Sequence, residues 1–297
     1  MSTLSLGERV VRSAWRLAPQ RTLSGFVGWG ARRTLPGPVR SLVLKSFARK
    51  YDIDLAEAEW PLDRYTSLQE FFTRRLRPGA RSVASRADAV VAPSDGVVCD
   101  AGVVSQGKLL EAKGSVFTLS DLLADGELAA RLDGGPYLVT YLSPRDYHRV
   151  HAPVSGKITR WTHIPGRLFP VGRRSVARET GLFARNERFI TVINGTAGLS
   201  VVVMVAAVGV GHITASYDLD VATHGPGFAA GGVRSKSFRD PRSIGRGDEL
   251  GVFNLGSTTI AVFEPGHVVL EKLAEGSAIR MGSAVGMLVP SSSGVSS

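Results

Sequence analysis

A single cysteine, Cys99, among 297 residues rules out an intramolecular disulfide framework and a Cys-rich zinc site. Such sparing use fits a reducing compartment, and the strand-like run around Cys99 makes it a packing residue rather than a nucleophile. Acidic residues are almost missing from the start of the chain. Residues 1–50 contain one, Glu8, against ten bases, so most of the net charge of +10 lies there and the remainder is nearly neutral. An uninterrupted apolar core behind that positive start is also missing, because Arg9, Arg12, Arg16 and Arg21 break every such run, and no export signal is expected. The one uncharged stretch long enough to cross a bilayer runs from Phe189 to Gly211, and Asn194-Gly195 lies inside it. That dipeptide signals a turn between Phe189–Ile193 and the β-branched run Ser200–Val208, which predicts a buried hairpin.

What is present starts with length and apolar content. At 297 residues and 43% apolar, the chain can bury a substantial core as one large domain or two small ones. The early bases are interleaved with Leu4, Val10, Trp15, Phe26, Trp29, Leu42 and Phe47, a mixture suited to helices lying on an anionic membrane surface. A solvated helical face is the plainer reading of the same pattern, and no nucleic-acid motif accompanies the charge. The expected location is peripheral, on the cytoplasmic face of the cell membrane.

The grammar of the chain changes near residue 85. Before it, Ser67-Leu68-Gln69-Glu70 forms a capping box ahead of Phe71, Phe72 and Leu76, and Pro78-Gly79 ends the helical pattern. After it, short β-branched runs alternate with Gly, Pro, Asn and Asp, as in Val90–Val98, Tyr137–Leu142, Gly156–Ile164, Thr258–Phe263 and His267–Leu270. Thr118–Leu123 reads as a short capped helix within this stretch. The expected fold class is α+β: a helical, basic, membrane-associating region over 1–85 on a mainly antiparallel β catalytic domain over 86–297. Ala92-Pro93-Ser94-Asp95-Gly96 and Ala152-Pro153-Val154-Ser155-Gly156 share an Ala-Pro-x-x-Gly turn, which suggests two related half-barrels. The same turns resemble the hairpins of biotinyl and lipoyl carrier domains, but no Met-Lys-Met or Asp-Lys-Ala stands at a hairpin tip.

Three segments carry residues able to do chemistry. Leu255-Gly256-Ser257-Thr258 opens a strand and taken alone is an ordinary strand-entry turn. Tyr141–Pro153 contains His148 and His151, three apart and able to reach one pocket. A His-x-x-His pair also suits a metal, but no carboxylate or Cys cluster at metal spacing stands nearby, so no metal is expected. Pro93-Ser94-Asp95-Gly96 supplies Asp95, which before Gly is commonly a turn residue.

Together these segments closely resemble the bacterial phosphatidylserine decarboxylase family, as do Glu70-Phe71-Phe72-Thr73-Arg74, Ala112-Lys113-Gly114, Leu182–Arg188 and Glu264-Pro265-Gly266. The segment Gly225–Gly232 departs from the family pattern. The resemblance implies a precursor that cuts itself between Gly256 and Ser257 into chains 1–256 and 257–297. Asp95, His151 and Ser257 would form the cleavage relay, Ser257 would become a covalent pyruvoyl cofactor that takes up the substrate amine, and His148 would donate a proton in decarboxylation. The implied substrate is phosphatidylserine in an anionic membrane surface, converted to phosphatidylethanolamine and CO2. Arg185, Arg188 and Lys113 are candidates to meet the head-group phosphate, nucleic acid is not an expected partner, and a homodimer is the default assembly.

Overall fold

The computed structural model describes residues 28, 30–110, 116–171, 181–207, 212–223, 228, 231–254 and 257–290. The basic segment before residue 28 and most of Gly225–Gly232 therefore lie outside the described residues, as do Ala112-Lys113-Gly114, Leu255 and Gly256.

Among the described residues the first long helix, α1 (Gly37–Tyr51), buries Leu44 and Ala48 and leaves Val39 and Leu42 exposed. Its buried side packs with Ile53, Tyr65 and Phe71 in a small core. The capping box forms at α2 (Leu68–Phe72): Ser67 Oγ accepts from Glu70 N–H at 3.1 Å, while Glu70 reaches one residue further back than the motif predicts, accepting from Thr66 N–H at 2.6 Å. Thr118 caps α3 (Leu119–Leu123) through Asp121 N–H, as expected. Two further helices, α4 (Gly126–Leu132) and α5 (Leu182–Arg185), are too short to leave a helical periodicity in the sequence.

Among the described residues sixteen strands follow the helical start. In chain order they begin with β1 (Ala89–Val91), β2 (Gly96–Val103), β3 (Lys108–Leu110), β4 (Val116–Thr118), β5 (Pro136–Leu142), β6 (Arg149–His151), β7 (Gly156–Ile164) and β8 (Arg188–Gly195). They continue with β9 (Gly198–Ala206), β10 (Ile213–Ala215), β11 (Arg234–Ile244), β12 (Glu249–Phe253), β13 (Ser257–Phe263), β14 (Val268–Leu270), β15 (Ala278–Ile279) and β16 (Ala284–Leu288). The pairings between them are antiparallel, which gives the α+β class expected. The run read as one strand, Val90–Val98, is split into β1 and β2, because Pro93 has no N–H to continue a ladder.

One eight-stranded sheet, ordered β11-β7-β8-β9-β13-β5-β2-β15, organises the molecule. It is open, with β11 and β15 as edges, so the described strands do not close a barrel. Its two halves do echo each other: β7 and β2, the strands entered from the two Ala-Pro-x-x-Gly turns, each stand second from an edge. The final glycine of each turn has one physical cause. A Cβ on Gly156 would lie 2.7 Å from the Asn194 carbonyl of β8, and one on Gly96 would strike the Tyr141 carbonyl of β5.

The uncharged stretch forms the predicted hairpin β8–β9, with Gly195 opposite Gly198. Its tip is Thr196-Ala197, two residues beyond the expected turn, because Gly198 at φ 64° supplies the left-handed position. The tip carries no lysine, so it offers no carrier attachment point. Helices α3, α4 and α5 cover one face of the large sheet through Leu122, Leu132 and Phe183 against Val139, Val203 and Ile260. The small sheet β10-β12-β6 covers the other, with Val150, Ile213, Leu250 and Phe253 packed on Leu142, Met204 and Ala206. Cys99 is buried on the helical side, as a packing residue.

Candidate active site

Four strand ends meet at one end of the large sheet. The backbone of Ser257, first in β13, pairs with Leu142 at the end of β5 and with Ala206 at the end of β9. β2 starts beside them, with Val97 opposite Tyr141, so Asp95 stands just before that strand. The chain leaves Leu142 through Ser143–Tyr147 and returns as β6, which carries His151. His151 N–H donates to the Pro93 carbonyl at 2.7 Å, and Phe253 N–H to the His148 carbonyl at 3.0 Å, fixing both histidines between the Asp95 turn and the strand that precedes Ser257. Ser94 Oγ and Thr259 Oγ1, 3.0 Å apart and buried, tie the same turn to β13.

Local chemistry builds the histidine loop. Pro144 suits the second position of a tight turn closed by Asp146 N–H on the Ser143 carbonyl at 2.9 Å, and the Asp146 carboxylate accepts from Ser143 N–H and Oγ, both at 2.7 Å. The Asp146 carbonyl is thereby aimed at His148 Nδ1, 2.8 Å away. A carbonyl only accepts, so Nδ1 carries the proton and Nε2 presents its lone pair. That Nε2 is buried without a hydrogen-bond partner among the described residues, and the ring lies against Phe72 with centroids 4.0 Å apart. Burial holds His148 neutral and pushes its pKa down to about 3, against the bond to Asp146 and with help from the Arg74 charge.

His151 takes the same tautomer for the same reason. Its Nδ1 donates to the Gly247 carbonyl at 2.8 Å, and its Nε2 accepts from the Tyr147 hydroxyl at 3.2 Å. Burial lowers its pKa, opposed by the Gly247 carbonyl and by Glu249. Burial also pushes the Tyr147 phenol up to about 12, which keeps it a donor. Asp95 is buried but bonds elsewhere: its carboxylate accepts from Arg81 Nε at 2.9 Å and from Met281 N–H at 2.8 Å. The structure therefore brings Asp95, His148, His151 and the backbone of Ser257 to one sheet end, without a direct hydrogen bond from Asp95 to either imidazole.

A consequence for stability follows from His148 alone. Its folded pKa is depressed, so the unfolded chain binds a proton that the folded chain refuses between pH 6.5 and about 3, and stability falls as pH drops through that window. The one-site contribution between pH 7 and pH 5 is about 2 kcal/mol. His148→Gln, which keeps an N–H donor for Asp146, should remove about that much of the acid sensitivity. Urea titrations at the two pH values, made in a Ser257→Ala chain so that the cleavage expected from the family likeness cannot intervene, measure the difference; equal sensitivity in both would contradict it.

The family model described as phosphatidylserine decarboxylase matches residues 68–287. The chain belongs to the phosphatidylserine decarboxylase family. A phosphatidylserine decarboxylase proenzyme of Anaeromyxobacter sp. (strain K) is 44% identical over 283 residues, 95% of this chain and 99% of the relative. The proenzyme of Myxococcus xanthus (strain DK1622) is 38% identical over 286 residues, 95% and 100% of the two chains, and that of Saccharophagus degradans is 37% identical over 278, 92% and 95%. Family membership makes this protein a decarboxylase, a carboxy-lyase, and the matched span contains Asp95, His148, His151, Gly256 and Ser257.

Of the arginines put forward for the head group, Arg188 is otherwise engaged. Its guanidinium is buried and donates to the carbonyls of Leu122, Asn186 and Asp121 at 2.6–2.9 Å, and it holds α3 to the start of β8. Arg185 lies over the Phe169 ring, and Lys113 is outside the described residues. Sequence reasoning did not single out Arg81 or Tyr147. Tyr147 stands inside the motif that was recognised, next to His148, but a tyrosine there has no distinguishing pattern. Arg81 is one of 36 bases and reaches Asp95 only through the fold.

Proposed function

We propose that the chain cuts itself between Gly256 and Ser257, and that Ser257 becomes the pyruvoyl group on which phosphatidylserine is decarboxylated to phosphatidylethanolamine. The observation that carries this reading is the meeting of Asp95, two neutral histidines and the first residue of β13 at one end of the sheet. The proenzyme names of the relatives agree with a precursor that matures into two chains.

In maturation the base is His151, whose Nε2 lone pair already accepts a proton-bearing group in Tyr147. It takes the proton from Ser257 Oγ, the oxygen attacks the Gly256 carbonyl carbon, and the imidazolium returns the proton to the departing Ser257 nitrogen as the amide C–N bond gives way to an ester. Loss of the Ser257 α-proton then breaks the ester C–O bond and leaves a Gly256 carboxylate. The remaining dehydroalanine takes up water and releases ammonia, so the new chain starts with pyruvoyl in place of serine. Gly256, with no Cβ, leaves its carbonyl open to attack. The Asp95 charge supports the imidazolium formed at His151.

The residues present suit such a group. The backbone of Ser257 sits where β5 and β9 end, at the sheet end that also carries His148, whose buried Nε2 has no hydrogen-bond partner among the described residues. A pyruvoyl group supplies a ketone for the substrate amine and an adjacent carbonyl that draws off the electrons left when CO2 departs. The substrate ammonium must lose a proton before it reacts, and the substrate carbon must gain one after CO2 leaves. His148 Nε2 can serve both needs in turn, taking the first proton and returning it as the second, so the proton never has to come from solvent. Its low pKa in the resting protein keeps the lone pair ready.

For a lipid substrate the protein has to work at a surface. Among the described residues no helix is long and apolar enough to cross a membrane. Peripheral contact through residues 1–85, on the cytoplasmic face of the cell membrane, is the reading that the basic N-terminus and the exposed Val39 and Leu42 of α1 support, with Lys45, Arg49 and Lys50 exposed on the same helix. Because α1 packs on Tyr65 and Phe71, the informative deletion is residues 1–36, which spares that core. Purified protein incubated with phosphatidylserine-containing vesicles should produce phosphatidylethanolamine. The deletion should weaken vesicle binding and make what remains less salt-sensitive, while self-cleavage proceeds. No phosphatidylethanolamine from a folded, matured protein would overturn the function, and salt-independent binding equal to that of the full chain would overturn the surface contact.

A further inference from the structure

The buried carboxylate of Asp95 is held by groups from two distant parts of the chain. Arg81 forks onto it, Nε to Oδ1 at 2.9 Å and Nη2 to Oδ2, and Met281 N–H adds a third bond to Oδ1 at 2.8 Å. Arg81 is itself fixed, through Nη1 to the Ala80 carbonyl at 2.7 Å and through Nη2 to Glu57 at 2.8 Å, and Glu57 also pairs with Arg280 at 3.3 Å. The side chains of Arg81 and Asp95 are each only 7% exposed, so the pair is shielded from screening. His151, meanwhile, is oriented by the Gly247 carbonyl.

We propose that Arg81 is the positioning residue of the self-cleavage relay: it fixes Asp95 as an oriented buried anion that acts on His151 through its field, while the Gly247 carbonyl accepts the imidazole hydrogen bond that the Asp accepts in a Ser-His-Asp triad. This rests on the reading of His151 as the base in maturation. Two features of the geometry favour it over a purely structural ion pair. Both carboxylate oxygens are committed to donors other than the imidazole, and both His151 nitrogens are committed to groups other than Asp95. The holding groups also lie on either side of Ser257 in sequence, Glu57 and Arg81 before it and Arg280 and Met281 after it, so the clamp needs no contact from the bond being cut. The other charged or titratable groups near Asp95 are Arg74, Tyr147 and His151, with Arg149 and Glu249 behind His151. None of these five bonds the carboxylate; among the described charged groups Arg81 does.

The test follows the conversion of full-length precursor into two chains, from freshly translated protein, across pH 5 to 8. Wild type is compared with Arg81→Met, Arg81→Lys and Asp95→Ala. A buried carboxylate stripped of its counter-ion takes up a proton more readily, so Arg81→Met should slow maturation by about 10- to 100-fold, with the largest loss at the acid end. Arg81→Lys keeps the charge without the fork and should recover part of the rate and most of the pH profile. If Arg81→Met does not fold, the profile of Arg81→Lys decides: it should mature more slowly than wild type with the larger loss at the acid end, where Asp95→Ala does not mature at all. Maturation of both Arg81 variants at the wild-type rate and profile, with Asp95→Ala arrested, would overturn the role of Arg81 and leave the relay standing. A slowing that is uniform over pH and follows lowered thermal stability would also overturn it, in favour of packing. Normal maturation of Asp95→Ala would instead remove Asp95 from the relay, and the inference with it.

Discussion

Ser257→Ala should leave the protein as one chain of 297 residues with no decarboxylase activity, whereas the wild type runs as two chains. The expected effect is total because one atom serves both events: without Oγ there is no nucleophile to form the ester, and without the ester nothing eliminates to give the pyruvoyl group. The fold should be untouched. The backbone of Ser257 pairs with Leu142 and Ala206 whatever its side chain, and β13 is held from both sides along its length. A denaturing gel and a phosphatidylethanolamine assay on the same preparation read both parts. An uncut variant that still decarboxylates would separate the activity from Ser257 altogether.

The second large effect divides the two histidines. His148→Ala and His148→Gln should mature, at least in part, yet lose decarboxylation by about 10²–10⁴-fold, the range for removing a positioned acid or base. His151→Ala should remain precursor. The environments explain the division. His151 is bonded to the turn at Gly247 and to Tyr147, and stands on β6 beside the Asp95 turn, whereas His148 packs on Phe72 with an Nε2 that no described residue uses. The glutamine variant separates chemistry from packing, since it retains a donor for the Asp146 carbonyl. If both histidines only hold the loop, each substitution should harm folding, maturation and turnover alike. If His151→Ala cleaves and His148→Ala does not, the roles are reversed.

How much of this was legible in the sequence depended on range. Features made by neighbours in the chain could be read directly: the Ser67 cap, the Thr118 cap, the β8–β9 hairpin and the paired Ala-Pro-x-x-Gly turns. Misreadings came where a local rule was overridden. Val90–Val98 has β-branched residues at both ends and was read as one run, although the Ala92–Gly96 turn inside it, with Pro93, is where the strand breaks. The edge strand β11 was missed because its side chains are mostly exposed, which removes the apolar alternation that marks a half-buried strand. The reacting residues were recognisable as a family likeness, but their partners were not. Arg81 to Asp95 spans 14 positions, His151 to Gly247 spans 96, and Asp95 to Met281 spans 186, and nothing in composition or spacing points across such intervals. The sequence reading accordingly paired Asp95 with His151, while in the fold each binds other groups.

Maturation at Gly256-Ser257 is the claim on which the rest depends, and the intact mass of the purified wild-type protein tests it most directly. Two species are expected. One has the mass of residues 1–256 with a free carboxylate, and the other the mass of residues 257–297 less one ammonia, as conversion of an N-terminal serine to pyruvoyl requires. A single active species with the full mass of 297 residues would contradict the account.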